Sequence, residues 1–436
     1  MHIKRWMKSW VVLVFLASLG ASAAQQVWAD DSTYLLGDWN GNRTHLADIG
    51  VTFDFGYTSE AAHNFTGGTA QLTRYVDQWK FGATLDLEKL WSWNGGTFQI
   101  MMTDRNGRDL GADANIGNNQ LIQEVYGRGQ TLHLTIFAID QKFLDGKLDW
   151  RIGRLPVGKD FASFSCTFQN LTFCGSQPGN IVGDYWVNWP TSQWATRLKF
   201  NPSDQAYVQV GVYQVNPKYI NDDYARHSGW KLDFPSGTTG ALIPLELGWM
   251  PEVNDRPGSY KLGLWYNTSS GADLFLDSQR QPRAITNGQP LQHDSRRGIY
   301  VNLQQQVSGD AHNSGVTLFL NVSLADRATS ATDRQIAVGM DYASPFGRAT
   351  DKVGFAVGAS HANSYAADYQ RLYNNLHPDQ PGLVKDGNEY VTELLYSWSP
   401  VSSISLRPNL QYIVHPGGSE QNHNAFVIGL KSIIVF

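Results

Sequence analysis

The amino-acid sequence predicts an all-β protein: a single closed antiparallel transmembrane β-barrel of about sixteen strands, with short periplasmic turns and long external loops. Three observations lead there. Apolar and polar side chains alternate with period two in segment after segment. The gaps between these segments are by turns short and mostly longer. And the chain ends on AFVIGLKSIIVF, an apolar strand closing on Phe436, where soluble proteins usually carry a polar, frayed tail.

The alternation is clearest in the middle of the chain. AYVQVGVYQ puts Val208, Val210 and Val212 on one face and Tyr207, Gln209, Gly211 and Tyr213 on the other. KVGFAVGAS sets Val353, Phe355, Val357 and Ala359 against Gly354, Ala356, Gly358 and Ser360. GVTLFLNVSL repeats the pattern from Val316 to Leu324. Period two means a strand with one oily face and one wet face. Such segments span 51–60, 76–89, 96–103, 121–140, 147–155, 193–201, 206–215 and 242–250. They continue through 259–267, 297–307, 315–324, 334–342, 352–361, 388–398, 403–413 and 424–436.

The gaps settle the topology. KLWSWNG, KFLDG, NPSDQ, PEVNDRPG, SGDAHNS, SPFGRAT and SPVS are short, and they alternate with mostly longer gaps such as 156–192, 216–241, 268–296 and 362–387. A soluble sandwich has no reason to gather its short turns at one end; a barrel threaded through a bilayer does. Inside lipid every backbone N–H and C=O needs an internal partner, so the sheet must close. Apolar residues then face lipid and polar ones a lumen, which accounts for a mean hydropathy of -0.33 in a membrane protein. In the closing strand Lys431 turns inward while Phe426, Ile428, Leu430, Ile434 and Phe436 face out. Strand-end aromatics Tyr57, Trp249, Tyr266, Tyr342, Trp398 and Tyr412 suit interfacial girdles.

The chain starts with a basic MHIKRWMK, an apolar WVVLVFLASLG and small residues, a secretory signal too short to span a membrane. Cleavage is expected after Ala29, with Ala23 and Ala24 as alternatives, so residues 1–29 form the signal, 30–50 a short periplasmic segment and 51–436 the barrel. In the second, Asn40 is placed to cap a short helix carrying Thr44 to Asp48, which Gly50 stops. The net charge of -5 and the lack of a basic cluster exclude a nucleic-acid partner. No Gly-x-Ser-x-Gly elbow and no His-x-x-x-His pair occurs, so neither an enzyme nor a metal or other cofactor is expected. Cys166 and Cys174 are the two cysteines, and in an exported chain they are expected to pair, contributing roughly 2–3 kcal/mol by closing a short loop. Outer-membrane lipid surrounds such a barrel, which works as a monomer or a homo-oligomer, and its last strand, ending on Phe436, is the expected handle for the barrel-assembly machinery.

Parity turns Lys80, Asp86, Arg151, Arg197, Lys199, Glu246, Lys261, Glu393, Arg407 and Lys431 inward. An Arg or Lys facing lipid at mid-depth costs about 2–4 kcal/mol, which supports the inward placement. Both signs are present, so a strong ion filter is not expected. Sugars need mixed donors and acceptors plus flat apolar surfaces, and inward Tyr207, Tyr213, Trp265, Tyr300 and Phe319 are candidate stacking faces.

LLGDWNGNRTHLADIGVTFDFGYTSEAAHNFTGG resembles the opening of the carbohydrate-selective porins of Gram-negative outer membranes, through Gly37, Asp38, Trp39, Gly41, Arg43, Leu46, Gly50, Gly67 and Gly68. QEVYG, DGKLDWRIGRLPVGKDF, the Cys-bearing loop, LRPNLQYIVHPGG and the terminal strand fit the same family in order. The resemblance covers essentially the whole mature chain. It implies a sixteen-stranded barrel and passive diffusion of small, glucose-like sugars without a cofactor. A general or anion-preferring porin is the alternative, and a secreted carbohydrate-binding β-protein a more distant one. The resemblance also places the constriction at Arg105, Glu124 and Arg128, with Arg108 and Arg154 as further candidates. The loop at 362–387 matches no family motif.

Overall fold

A computed structural model describes residues 33–310 and 314–436; the signal segment lies outside the described residues. Sixteen long antiparallel strands close on themselves. They are β1 (Val51–Asn64), β2 (Thr73–Asp86), β3 (Gly96–Gly107), β4 (Leu132–Phe143), β5 (Leu148–Leu155), β6 (Gln193–Ser203), β7 (Ala206–Val215) and β8 (Gly240–Trp249). The round is completed by β9 (Arg256–Asn267), β10 (Arg296–Gln306), β11 (Gly315–Ala325), β12 (Thr332–Ala343), β13 (Lys352–Ala362), β14 (Asn388–Val401), β15 (Ile404–Val414) and β16 (Ala425–Val435). Each strand pairs with its neighbours in sequence, and β16 pairs back onto β1 from Gly56↔Val435 to Asn64↔Val427, so no edge is left for lipid to strip of hydrogen bonds. A two-residue piece, Glu252–Val253, tightens one turn, and a separate ribbon, Gly271–Asp277 with Pro290–His293, stands on an external loop.

The faces sort as the alternation requires. On β9, Leu262, Leu264 and Tyr266 are exposed on the outer wall while Trp265 is buried inside. Trp249, Tyr266, Trp398 and Tyr412 also stand exposed near strand ends. Several boundaries differ from the alternation's spans. β2 begins at Thr73 and stops at Asp86, because the Asp86 carboxylate accepts from Glu88 N and Lys89 N and starts a one-turn helix, Leu87–Trp91; Asp86 is therefore a cap, not a lumen charge. β1 runs four residues past Glu60, to Asn64. The expected strand 121–140 begins only at Leu132, since 121–131 belongs to a loop folded into the barrel.

Ahead of β1, helix α1 (Asn42–Asp48) docks at the end of the barrel that carries the short turns. Its N-cap is Gly41, at φ 87, and not Asn40, which sits in the left-handed region at φ 57. The carboxylate of Asp38 reaches into the first turn instead, accepting from Thr44 N and Thr44 Oγ1 at 2.9 Å. Arg43, over the rings of Tyr34 and Trp39, donates to the Phe436 main-chain oxygen at 2.9 Å and ties this segment to the barrel's last residue.

Two external loops, 108–131 and 156–192, fold into the lumen and bury apolar clusters against inward-facing side chains. Phe161, Tyr185 and Trp186 pack on Tyr213, Trp265 and Tyr300. Phe168 and Phe173 pack on Phe319, Ala337, Ala356, Val391 and Leu395. The interior wall is cut to fit them: a Cβ on Gly358 of β13 would lie 2.5 Å from Thr172 Cγ2 and 3.0 Å from the Phe173 ring.

Candidate functional site

The inward loops are held by carboxylates of the wall. Glu393 accepts from Gln169 N and Asn170 N, both at 2.8 Å. Glu246 accepts from Ala162 N at 2.8 Å and from Tyr207, Gln209 and Tyr300 at 2.7 Å each. These two hold loop 156–192. Loop 108–131 has its own pair: Glu60 accepts from Val125 N at 3.2 Å, and Glu389 takes Asn119 N and Gln120 N. Charge-assisted bonds to backbone N–H are among the stronger neutral-to-ion contacts, so four such anchors fix both loops.

This corrects several expectations. Glu246 and Glu393 are fully buried and line no passage; their charge is spent on loop backbone. Tyr213, Trp265 and Tyr300, at 0, 1 and 1 % exposed, present no ring face to a solute. The reason is the loop above them: Trp186 lies edge-on to Trp265 and Tyr300, and Phe161 to Tyr213. Phe319 is buried the same way, under Phe164 and Phe168, while Tyr207 is buried against the wall, bonded to Glu246. Arg151 is locked by Asp160 at 3.0 Å and Gln99 at 2.7 Å, and Arg197 by Asp149 at 3.1 Å. Both are buried structural pairs. Arg407 donates to Thr167 O at 3.0 Å and Lys261 to Ser163 O at 2.7 Å, so they too hold loop 156–192. Lys199 lies over the Tyr207 ring.

Cys166 and Cys174 are joined as a disulfide in that loop. Beside it, Lys431 Nζ bonds Phe168 O at 2.9 Å and Glu124 Oε1 at 2.8 Å. Arg128 donates to Gly183 O at 3.1 Å, which links the two inward loops but keeps its guanidinium from the passage. Arg108 pairs with Asp113 near the rim, and Arg154 donates to Ser192 O at 3.0 Å.

Two cavities lie along β1–β3. A cavity of about 250 Å³ is lined by Arg105 and Glu124 together with Gln78, Lys159, Asn188 and Trp189. A second, of about 320 Å³, lies toward the periplasmic end, with Asp54, Thr58, Lys80 and Gln99 in its wall. Gln78, Lys159 and Trp189 line both, so the two chambers meet there. Arg105 donates to Gln78 Oε1 and Tyr126 O at 2.9 Å, and Trp189 Nε1 donates to the same Gln78 oxygen at 3.0 Å. The guanidinium and the indole are thereby fixed around one amide. Lys80 pairs with Asp54 at 2.9 Å in the lower chamber.

Of the family-based candidates, Arg105 and Glu124 are thus brought together, and Arg128 is not. Alternation missed Lys159 and Trp189, because both sit in loop 156–192, where no strand parity exists. Glu60 and Glu389 were within its reach: Glu60 has the same parity as Asp54 and Thr58, and Glu389 that of Glu393.

A closed barrel with an oily wall and a polar passage narrowed by its own loops defines a porin. The family model described as carbohydrate-selective porin, OprB family, matches residues 70–436. Porin B of Pseudomonas aeruginosa is 40 % identical over 444 residues, covering 97 % of this chain and 96 % of that one. A putative porin, QuiX, of Acinetobacter baylyi is 32 % identical over 97 % of this chain and 98 % of its own. The high-pH structure of Pseudomonas putida OprB superimposes with a TM-score of 0.89 at 41 % identity, covering 93 % of this chain and 99 % of that one. The chain belongs to the carbohydrate-selective porin, OprB family. It is a sugar-preferring β-barrel channel of the outer membrane.

Proposed function

We propose that the junction of Gln78, Lys159 and Trp189, with Arg105 and Glu124 directly above it, is the selectivity filter through which small glucose-like sugars diffuse. The observation that carries this reading is the sharing of those three residues by both chambers. The junction offers a cation, an amide and an indole within one ring of side chains, and Glu124 adds an acceptor. Hydroxyl groups need such alternating donors and acceptors, and the indole suits the C–H face of a pyranose. The reading assigns the chain transport and no bond-making step. It includes removal of residues 1–29 before assembly, recognition of the Phe436-ending strand by the assembly machinery, and a wall that sits in outer-membrane lipid.

Swelling of proteoliposomes in sugars and in amino acids of matched size tests it. Glucose is expected to enter faster than size-matched non-sugars, and Trp189→Ala, Arg105→Ala or Glu124→Ala to narrow that difference. Equal wild-type rates for all solutes of one size defeat the reading. The cations Arg105, Lys159 and Lys80 around the passage favour one second reading, an anion-preferring pore. A reversal potential in a salt gradient separates the two.

A further inference from the structure

One sector of the outer wall departs from the apolar pattern. On β10 the outward positions run from Ile299 to Arg297 toward the external end, and on β12 from Ile336 to Arg334. Arg297 lies opposite Tyr266 on β9, while Leu324 of β11 lies opposite both Ile299 and Arg334. Directly opposed residues share a face of a sheet. Tyr266, Leu324 and Ile299 are exposed on the outer wall, so both guanidiniums project outward, where wall aromatics give way to headgroups. Each arginine is exposed, and among the described residues neither guanidinium has a hydrogen-bond or ion-pair partner.

Beside Arg297 opens a notch of about 710 Å³, lined also by Leu324, Asp326, Arg327, Asp294 and Ser295. Most of its charge is already engaged. Asp326 accepts from Thr329 N at 3.0 Å and Thr329 Oγ1 at 2.9 Å. Arg327 donates to Ser364 Oγ at 2.6 Å and lies over the Tyr365 ring. Arg297 and the exposed Asp294 are left to meet a ligand.

We propose that this sector binds a phosphorylated glycolipid of the outer leaflet: Arg297 and Arg334 hold its phosphate, its acyl chains lie along Ile299, Leu324 and Ile336, and its sugar headgroup enters the notch. The guanidinium fork matches phosphate oxygens two at a time, and a basic site at headgroup depth above an apolar wall is complementary to an amphiphile carrying a phosphate. A soluble anion matches only half of this surface. Asp294 and Ser295 supply acceptors for the sugar hydroxyls.

The test uses the purified, folded barrel in phosphate-free detergent, with lipid A and its phosphate-free form as probes. Binding is read as the rise in the temperature at which the heat-modifiable gel band converts. Lipid A is expected to bind wild type about tenfold more tightly than the phosphate-free glycolipid. The double variant Arg297→Gln, Arg334→Gln is expected to bind both forms alike, while the Arg→Lys pair keeps part of the preference. Should the double variant fail to assemble, the single Gln variants are each expected to weaken lipid A binding about threefold. Unchanged single-channel conductance confirms that any variant is folded. Equal lipid A binding by wild type and the Gln variants overturns the proposal. Equal binding of the two lipids by wild type overturns it as well. So does inorganic phosphate alone producing the full shift, which marks a free-anion site.

Discussion

Lys431 Nζ lies 3.1 Å from Glu60 Oε1 across the seam where the last strand meets the first, and 2.8 Å from Glu124 Oε1 in loop 108–131. Glu60 and Lys431 are directly opposed in the β1–β16 ladder, and both are buried. One ammonium thus joins barrel closure to the placement of loop 108–131, since Glu60 also takes Val125 N. Replacing Lys431 by Met removes the ammonium that Glu60 and Glu124 share. Loss of one member of a buried pair costs about 3–5 kcal/mol. Lys431→Met is therefore expected to lower the conversion temperature of the folded band on gels. It should also make single-channel currents noisier as the loop loses its anchor. Wild-type behaviour on both counts would show that the seam closes independently of this charge.

Glu393 offers a probe of the second loop, because its carboxylate accepts from Gln169 N and Asn170 N. Glu393→Ala removes two charge-assisted bonds, each worth about 1.5–3 kcal/mol. The barrel strands should survive, but loop 156–192 should loosen and the passage widen. The expected readout is a raised size limit in liposome swelling with a ladder of oligosaccharides.

Gly358 tests the same loop by sterics. Any Cβ there meets Thr172 and Phe173 of the loop most closely, and next Ile336 O of the neighbouring strand at 3.1 Å. Gly358→Val is expected to preserve barrel formation and mimic Glu393→Ala in swelling assays. If conductance and size limit stay at wild type, the loop is not held against β13.

The strands were legible because bilayer and water impose a period of two on every one of them, from Phe53, Phe55 and Tyr57 on β1 to Ile428 and Leu430 on β16. The loops obey no such period. Residues 121–131 read as strand only by continuity with the alternating stretch that starts at Leu132, since Leu121 to Tyr126 carry no period of two themselves. In the structure those side chains pack inside the lumen, so the resemblance to a family, not the alternation, pointed to Glu124. Parity gave the direction of Glu246, Glu393, Arg151 and Arg197 but not what stood opposite. A loop from the far side of the sequence meets each glutamate, and no local pattern encodes that meeting. Lys159 and Trp189 were invisible for the same reason.

The inward aromatics show how burial separates support from contact with a solute. Tyr300 donates to Glu246 at 2.7 Å beneath Trp186, sealed from the passage. Tyr300→Phe keeps the ring and removes one of the four donors on that carboxylate. The expected cost is about 1.5–3 kcal/mol in folded-state stability, with the ratio of glucose entry to that of matched amino acids unchanged. Trp189→Ala is the complement, since Trp189 lines both chambers and its indole N–H donates to Gln78. There the ratio should fall while the gel-conversion temperature moves little. If instead Tyr300→Phe alters the ratio and Trp189→Ala does not, sugars reach the space under loop 156–192, and the passage runs along β9 and β10 and not along β1–β3.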